Sequence, residues 1–135
     1  MLVKQIMTKD VIVIAPDKSI VDAARQMLDG ECGVLPVVEN DRLIGMVTDR
    51  DIVVRAISNG KGCQTAVRDV MSQDVLYCYE EDTIEALARN MSEQQIHREL
   101  VLNKDKRLVG IISLSDIVNS NDILAASIAL RGISR

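Results

Sequence analysis

Short β-branched runs alternate with longer amphipathic stretches along this chain, and the alternation is written twice. Val3 to Met7 reads as a lead-in turn. Val11-Ile12-Val13-Ile14 is short and β-branched, which predicts a buried strand, broken by Pro16-Asp17. Ser19 is placed to cap a helix whose apolar stripe is Ile20, Ala23, Ala24 and Met27, with Gly30 as its stop. Val34-Leu35-Pro36-Val37-Val38 predicts a second strand, and Pro36, lacking an N–H, belongs at an edge or a strand start. Glu39 to Arg42 is turn material, Leu43 to Val47 a third strand, and Asp49 to about Ser58 a second helix. Asn59-Gly60-Lys61-Gly62 is the clearest break in the chain.

The same order then returns about 64 residues later. Val67-Arg68-Asp69-Val70-Met71-Ser72 echoes Val3 to Thr8, and Asp74-Val75 echoes Asp10-Val11. Ile84, Leu87, Ala88 and Met91 repeat the first helix stripe. Leu100-Val101-Leu102 repeats Pro36-Val37-Val38, and Leu108-Val109-Gly110 repeats Leu43-Ile44-Gly45 with one extra loop residue. The expected fold is therefore α/β in the mixed, α+β sense: two β-α-β-β-α repeats related by a pseudo-twofold axis. Residues 1–62 form the first repeat, 63–120 the second, and 121–135 a terminal helix or tail. Either copy alone is small for an independent core.

Composition narrows the function. Hydrophobic residues make up 47% of the chain, enough for a sizeable core, but there are two Tyr and no Phe or Trp. The core must be aliphatic, and there are few rings on which bases could stack. With a net charge of −4, no basic field steers nucleic acid to this chain, so nucleic acid is an unlikely partner. No apolar run approaches a membrane span and the N-terminus lacks signal-peptide anatomy, so a cytoplasmic location is expected. Cys32, Cys63 and Cys78 lack metal-ligand spacing and read as reduced thiols.

The candidate chemistry sits where each repeat's last strand meets its second helix. Gly45-Met46-Val47-Thr48-Asp49-Arg50-Asp51 is matched by Gly110-Ile111-Ile112-Ser113-Leu114-Ser115-Asp116. A hydroxyl residue followed three positions later by an acid, then an apolar run, is close to a capping box. Free N–H groups and the helix dipole make such a junction a seat for a phosphate, while two well-capped helices would carry the same signature.

Met-Thr/Ser, a short strand, an amphipathic helix, a Leu-Pro-Val-Val strand and Gly-x-x-Ser/Thr-x-x-Asp, in that order and twice, resemble the CBS domain; two in tandem resemble a Bateman module. The likeness spans about residues 3–120. The second copy, with Ile96-His97-Arg98, resembles a nucleotide-binding repeat of the regulatory γ subunit of AMP-activated protein kinase. The whole resembles small prokaryotic CBS-pair proteins. The resemblance implies a cytoplasmic, non-enzymatic regulatory module that senses AMP, ADP or ATP, with S-adenosylmethionine or NAD as alternatives. It also implies a homodimer and an unnamed regulated protein. No catalytic cofactor and no metal are expected; an adenine nucleotide is the regulatory ligand. In the second cleft, Asp116 would take the ribose diol, Ser113 and Ser115 the phosphate, with Ile111 beside the base and Met7, Ile12, Cys32 and Gly33 completing it. In the first, Asp51 would take the ribose, Thr48 and Arg50 the phosphate, with Met46 near the base and Met71, Leu76, Ile96 and His97 as counterparts. His97 and Arg98 resemble phosphate contacts, whereas the first repeat has Gly33-Val34 there, so the clefts are unequal.

No Gly-rich lysine loop, metal-ligand cluster or activated nucleophile supports catalysis; Cys32 is read as cleft lining. A structural dimerisation module without a physiological ligand is the alternative. A nucleic-acid-binding or redox-sensing role is weaker. Ile52, Val53, Val54, Ala56, Ile117 and Val118 are expected to form the apolar dimer surface.

Overall fold

A computed structural model of the chain describes residues 1–133; the last two residues of the expected tail lie outside the described residues. The chain forms two compact units. One joins Met1–Val11 to the chain from Leu76 onward and is called unit 1; the other, unit 2, is Ile12–Val75. The break Asn59–Gly62 lies inside unit 2, as a turn with Gly60 at φ 71°.

In unit 2, helix α1 spans Ile20–Gly30, capped by Ser19 Oγ accepting from Asp22 N. It buries Ile20, Ala23 and Met27, leaving Ala24 exposed. Gly30 is the last helical residue, and the left-handed cap is Glu31, at φ 51°. Strands β1, Val34–Glu39, and β2, Arg42–Thr48, pair antiparallel through Asn40 and Asp41 at φ 54° and 63°. Asn and Asp tolerate that left-handed region, which a tight hairpin turn demands. Helix α2 opens as Asp49–Asp51 and continues as a π-helical stretch, Ile52–Ile57. A core of Ile14, Ile20, Ala23, Leu35, Val37, Val47, Val67 and Val70 holds the unit together.

The strand expected at Val11–Ile14 does not form. Only Ile14 bridges, in parallel with Val37, and Ile12 and Val13 are exposed. The cause lies two residues on. In unit 1 the corresponding segment is strand β3, Tyr77–Tyr79, whose end is tied by Glu80 N–H donating to Leu102 O at 3.0 Å. The aligned residue in unit 2 is Pro16, which has no N–H to give, and Pro36, aligned with Leu100 whose N–H donates to Leu76 O at 3.5 Å, has none either.

Unit 1 carries a three-stranded sheet in the order β3-β4-β5, with β4 at Arg98–Leu102 and β5 at Leu108–Ser113. β3 runs parallel to β4, and β4 antiparallel to β5. Helix α3, Ile84–Gln94, is capped by Thr83 and buries Ile84, Leu87, Ala88, Met91 and Ser92. Helix α4 is short, Leu114–Val118; α5, Ile123–Ile133, is the expected terminal helix and buries Ala125 and Ala129 against the same core. α5 also accounts for a departure in the exposed surface: Ile117 is fully buried and so not free for a partner, while Val118 is half-buried against the core. Ala56 is likewise buried, in unit 2.

The lead-in turns are exchanged between the copies. Val3–Gln5 is a 3-10 turn whose Val3 and Lys4 N–H groups donate to Asp82 O and Glu80 O. Val67–Asp69 is its twin, with Val67 and Arg68 donating to Lys18 O and Pro16 O. Each repeat's opening turn thus docks on the strand-to-helix loop of the other.

Candidate functional site

Unit 2 builds its junction from β2 and α2. Thr48 has extended backbone, φ −115°, and its Oγ1 accepts from Asp51 N at 3.0 Å, while Thr48 N donates to Asp51 Oδ2 at 2.9 Å. This reciprocal capping box sets the helix start and aims the Asp51 carboxylate back at the strand end. Asp51 Oδ1 lies 3.7 Å from Arg55 Nε, and Arg55 also donates to Met71 O at 3.1 Å. Asp49 N donates to Gly33 O at 3.0 Å, and a Cβ on Gly33 would sit 2.9 Å from Asp49 Oδ2. The Asp49 carboxylate therefore stands where a side chain at position 33 would begin. Arg50 is exposed one residue on. Met46 bridges Ser72, and Met71 Sδ would lie 2.9 Å from a Cβ on Gly45. Cys32 is half-buried against the unit's core, and Ile12 is exposed.

Unit 1 repeats the box with different neighbours. Ser113 N donates to Asp116 Oδ2 at 2.8 Å and Asp116 N donates to Ser113 Oγ at 3.2 Å. Ser113 and Ser115 hydroxyls are 2.9 Å apart. Leu114 N donates to His97 O at 2.8 Å, the counterpart of the Asp49–Gly33 bond. Arg98 lies directly across the strand pair from Ser113, as Val34 lies across from Thr48. His97 and Arg98 are exposed, whereas Val34 is buried. The residue aligned with Arg55 is Ser120, and among the described residues Asp116 Oδ1 has no hydrogen-bond or ion-pair partner. Met7 packs against Gly110, whose Cβ would come within 2.6 Å of its Sδ, and Thr8 bridges Ile111. Ile96 is half-buried at the α3–β4 connection and Leu76 is exposed before β3.

Unit 1 therefore brings together Met7, His97, Arg98, Ile111, Ser113, Ser115 and Asp116, with Leu76 and Ile96 elsewhere on it. Unit 2 gathers Gly33, Thr48, Arg50 and Asp51 at one junction, with Met46 and Met71 at the adjoining end of β2 and Ile12 and Cys32 near the end of α1. The junctions can offer a diol acceptor, paired hydroxyls and, in unit 1, a cation with a histidine beside it.

Two residues escape a reading by motif alone. Asp49 is one: its role at Gly33 shows only when the copies are aligned, because Gly33 and Asp49 change together to His97 and Leu114. The other is Glu99, in the middle of β4 and 2% exposed, with Oε2 fully buried and unpartnered. Burial, then the neighbouring Asp82 charge, pushes its carboxyl up to about 7. The nearby Cys78 thiol is pushed up to about 12, by burial first and then by the charges of Glu99 and Asp82, so it is no thiolate nucleophile. The signal for Glu99 was again the alignment: its counterpart is Leu35, which is completely buried.

Against known proteins, the CBS domain pattern matches twice, at residues 3–57 and 67–121. The chain is 37% identical over 133 residues to CBS domain-containing protein YhcV of Bacillus subtilis, covering 98% of this chain and 94% of that one. Among solved structures, the CBS domain pair of protein MJ0100 in complex with 5′-methylthioadenosine and S-adenosyl-L-methionine superposes with a TM-score of 0.75 at 28% identity, covering 87% of this chain and 92% of that one. A hexameric CBS-CP12 protein from bloom-forming cyanobacteria superposes at 0.77 with 30% identity, covering 92% of this chain and 70% of that one. The duplicated junctions, the repeated order of elements and these matches together place this chain in the CBS-domain family, as a tandem pair.

Proposed function

We propose that this CBS pair is a regulatory, non-catalytic module that binds an adenosine-containing ligand at its strand–helix junctions and passes the bound state to a partner. The observation that carries this reading is the Asp116 carboxylate. Its Oδ2 is spent on the capping box, its Oδ1 has no partner among the described residues, and the same junction carries the paired Ser113 and Ser115 hydroxyls. A ribose cis-diol supplies the two donors such an oxygen accepts. Family membership supports a ligand-binding regulatory role, and the MJ0100 pair was solved with two adenosine derivatives. AMP, ADP and ATP suit the unit 1 junction through Arg98 and His97; S-adenosylmethionine suits unit 2, where the exposed Asp49 carboxylate can meet a cationic group. The proposed setting is cytoplasmic; no described helix is long and apolar enough to cross a membrane.

Calorimetric titration with AMP, ATP and S-adenosylmethionine tests this reading. Asp116→Ala and Asp51→Ala should each weaken binding roughly tenfold to a hundredfold, at separate junctions. Unchanged binding in folded single and double variants would make the aspartates caps and nothing else.

Self-association is the second part of the proposal. Val53, Val54 and Ile57 are 59%, 47% and 58% exposed along α2, an apolar stripe suited to a homodimer. Light scattering should give twice the 14.9 kDa chain mass, and Val53→Glu should halve it. Monomer throughout the micromolar range would end that part.

A further inference from the structure

Glu99 is the one charged side chain buried in β4, and nothing in the capping-box chemistry uses it. Alternation along the strand puts it on the same face as Val101, which shares a core cluster with Cys78, Leu87, Met91, Ile112 and Ile117. Ile112 is its cross-strand partner. The buried faces of α3, α4 and α5 bring apolar side chains and Ser92, with no titratable group among the described residues. β3 brings Cys78, and the loop before α3 brings Asp82, whose Oδ2 accepts from Tyr79 N at 2.9 Å. Among the described residues no cation pairs with Glu99 and its Oε2 has no hydrogen-bond partner. A carboxylate in this setting has every reason to hold its proton.

We propose that Glu99 is a proton-linked latch: neutral, it lets β4 stay packed under the helices, and ionised, it loosens the β4–β5 pair and with it the Arg98–Ser113 junction. The regulatory part rests on the reading of that junction as a ligand site. Arg98 is the next residue in the chain, and Ser113 is one step from Ile112. The sign follows from the raised carboxyl. The stabilisation is complete below about 4.5, where folded and unfolded chains both hold the proton, and is lost as pH rises through about 7. An anionic ligand at Arg98 favours the protonated form, so binding draws in a proton.

The test compares the wild type with Glu99→Gln and Glu99→Leu, the latter being the side chain of the other repeat at this position. Hydrogen exchange at Leu100 and Ile112, with denaturant unfolding, is followed from pH 5 to 8. The wild-type opening constant, taken relative to Glu99→Gln, should rise roughly thirtyfold to a hundredfold across that range. Glu99→Leu should track Glu99→Gln. Adenosine affinity should fall with pH in the wild type and stay level in both variants. Identical pH profiles in wild type and Glu99→Gln overturn the latch. A loss of protection with pH in the wild type alone, without any change in adenosine affinity, overturns its link to the site. If no variant binds adenosine at any pH, the ligand reading falls, and the exchange data alone decide whether Glu99 gates β4.

Discussion

Unit 1 and unit 2 are built from the same pattern, yet one closes a three-stranded sheet and the other stops at two. The difference comes down to two N–H groups, because Pro36 also stands where Leu100 donates to Leu76 O. Glu80 donates to Leu102 and continues β3; Pro16, at the matching position, cannot donate to Val38. The junctions diverge in the same economical way. His97-Arg98 opposes Leu114 and Ser113, where Gly33-Val34 opposes Asp49 and Thr48. One junction carries a carboxylate oxygen without a partner among the described residues, with Arg98 across the strand pair from Ser113. The other carries two carboxylates, one of them already approached by Arg55 at 3.7 Å. Duplication preserved the scaffold, and a few side chains made two different surfaces on it.

The largest effects should come from the shared scaffold. Gly45 and Gly110 are both pressed by main-chain oxygens, Ser72 O at 2.8 Å and Thr8 O at 2.9 Å from a would-be Cβ. Backbone yields poorly, so Gly45→Ala and Gly110→Ala should each destabilise by about 2–3 kcal/mol, in their own units, by denaturant melts. A large effect at one and none at the other would break the equivalence of the copies.

Glu80→Pro should loosen β3 toward the two-stranded state, although Leu100 N–H can still donate to Leu76 O. Losing the donor leaves Leu102 O, in a residue 4% exposed, without its partner and costs about 1–2 kcal/mol. Amide exchange should quicken across Tyr77–Tyr79 while β4 and β5 stay protected. Retained protection of Tyr77–Tyr79 would show that the proline is not what separates the two sheets.

The junction contrast sharpens with Arg98→Val, which gives unit 1 the residue of unit 2. Affinity for AMP should fall about tenfold, or about 1.4 kcal/mol, with adenosine nearly unaffected. An equal loss for both ligands would mean that Arg98 shapes the strand and does not meet the phosphate. The smallest effect belongs to the caps. Thr48→Ala and Ser113→Ala each remove one side-chain acceptor and should cost about 1 kcal/mol of melting stability. The Ser113 variant alone should also lose its partner Ser115 hydroxyl contact and weaken AMP further.

Much of this was legible from local pattern. Hydrophobic period and cap residues suffice for α1, α3, the β1–β2 hairpin and both capping boxes, because those rest on neighbours within a few positions. Internal duplication made the family readable, since loose motifs become specific when repeated in order. The strand at Val11–Ile14 was misread because β-branched residues announce a strand but do not supply its partner's hydrogen bond. Ile117 and Ala56 looked like surface because helical period alone does not show that α5, or the unit 2 core, covers them.

What sequence alone determined, then, is the two-copy order of elements, the aliphatic core and the residue types at each junction. These follow from side-chain chemistry and spacing along the chain. Tertiary structure decided the rest. It sent each lead-in turn to the other copy's loop, Val3 to Asp82 and Val67 to Lys18, which no local pattern encodes because the two turns are nearly interchangeable. It also set the Asp49 carboxylate against Gly33 and enclosed Glu99 without a partner. Charge reads the same in a sequence whether water surrounds it or a core does, and only the packing around it fixes its cost.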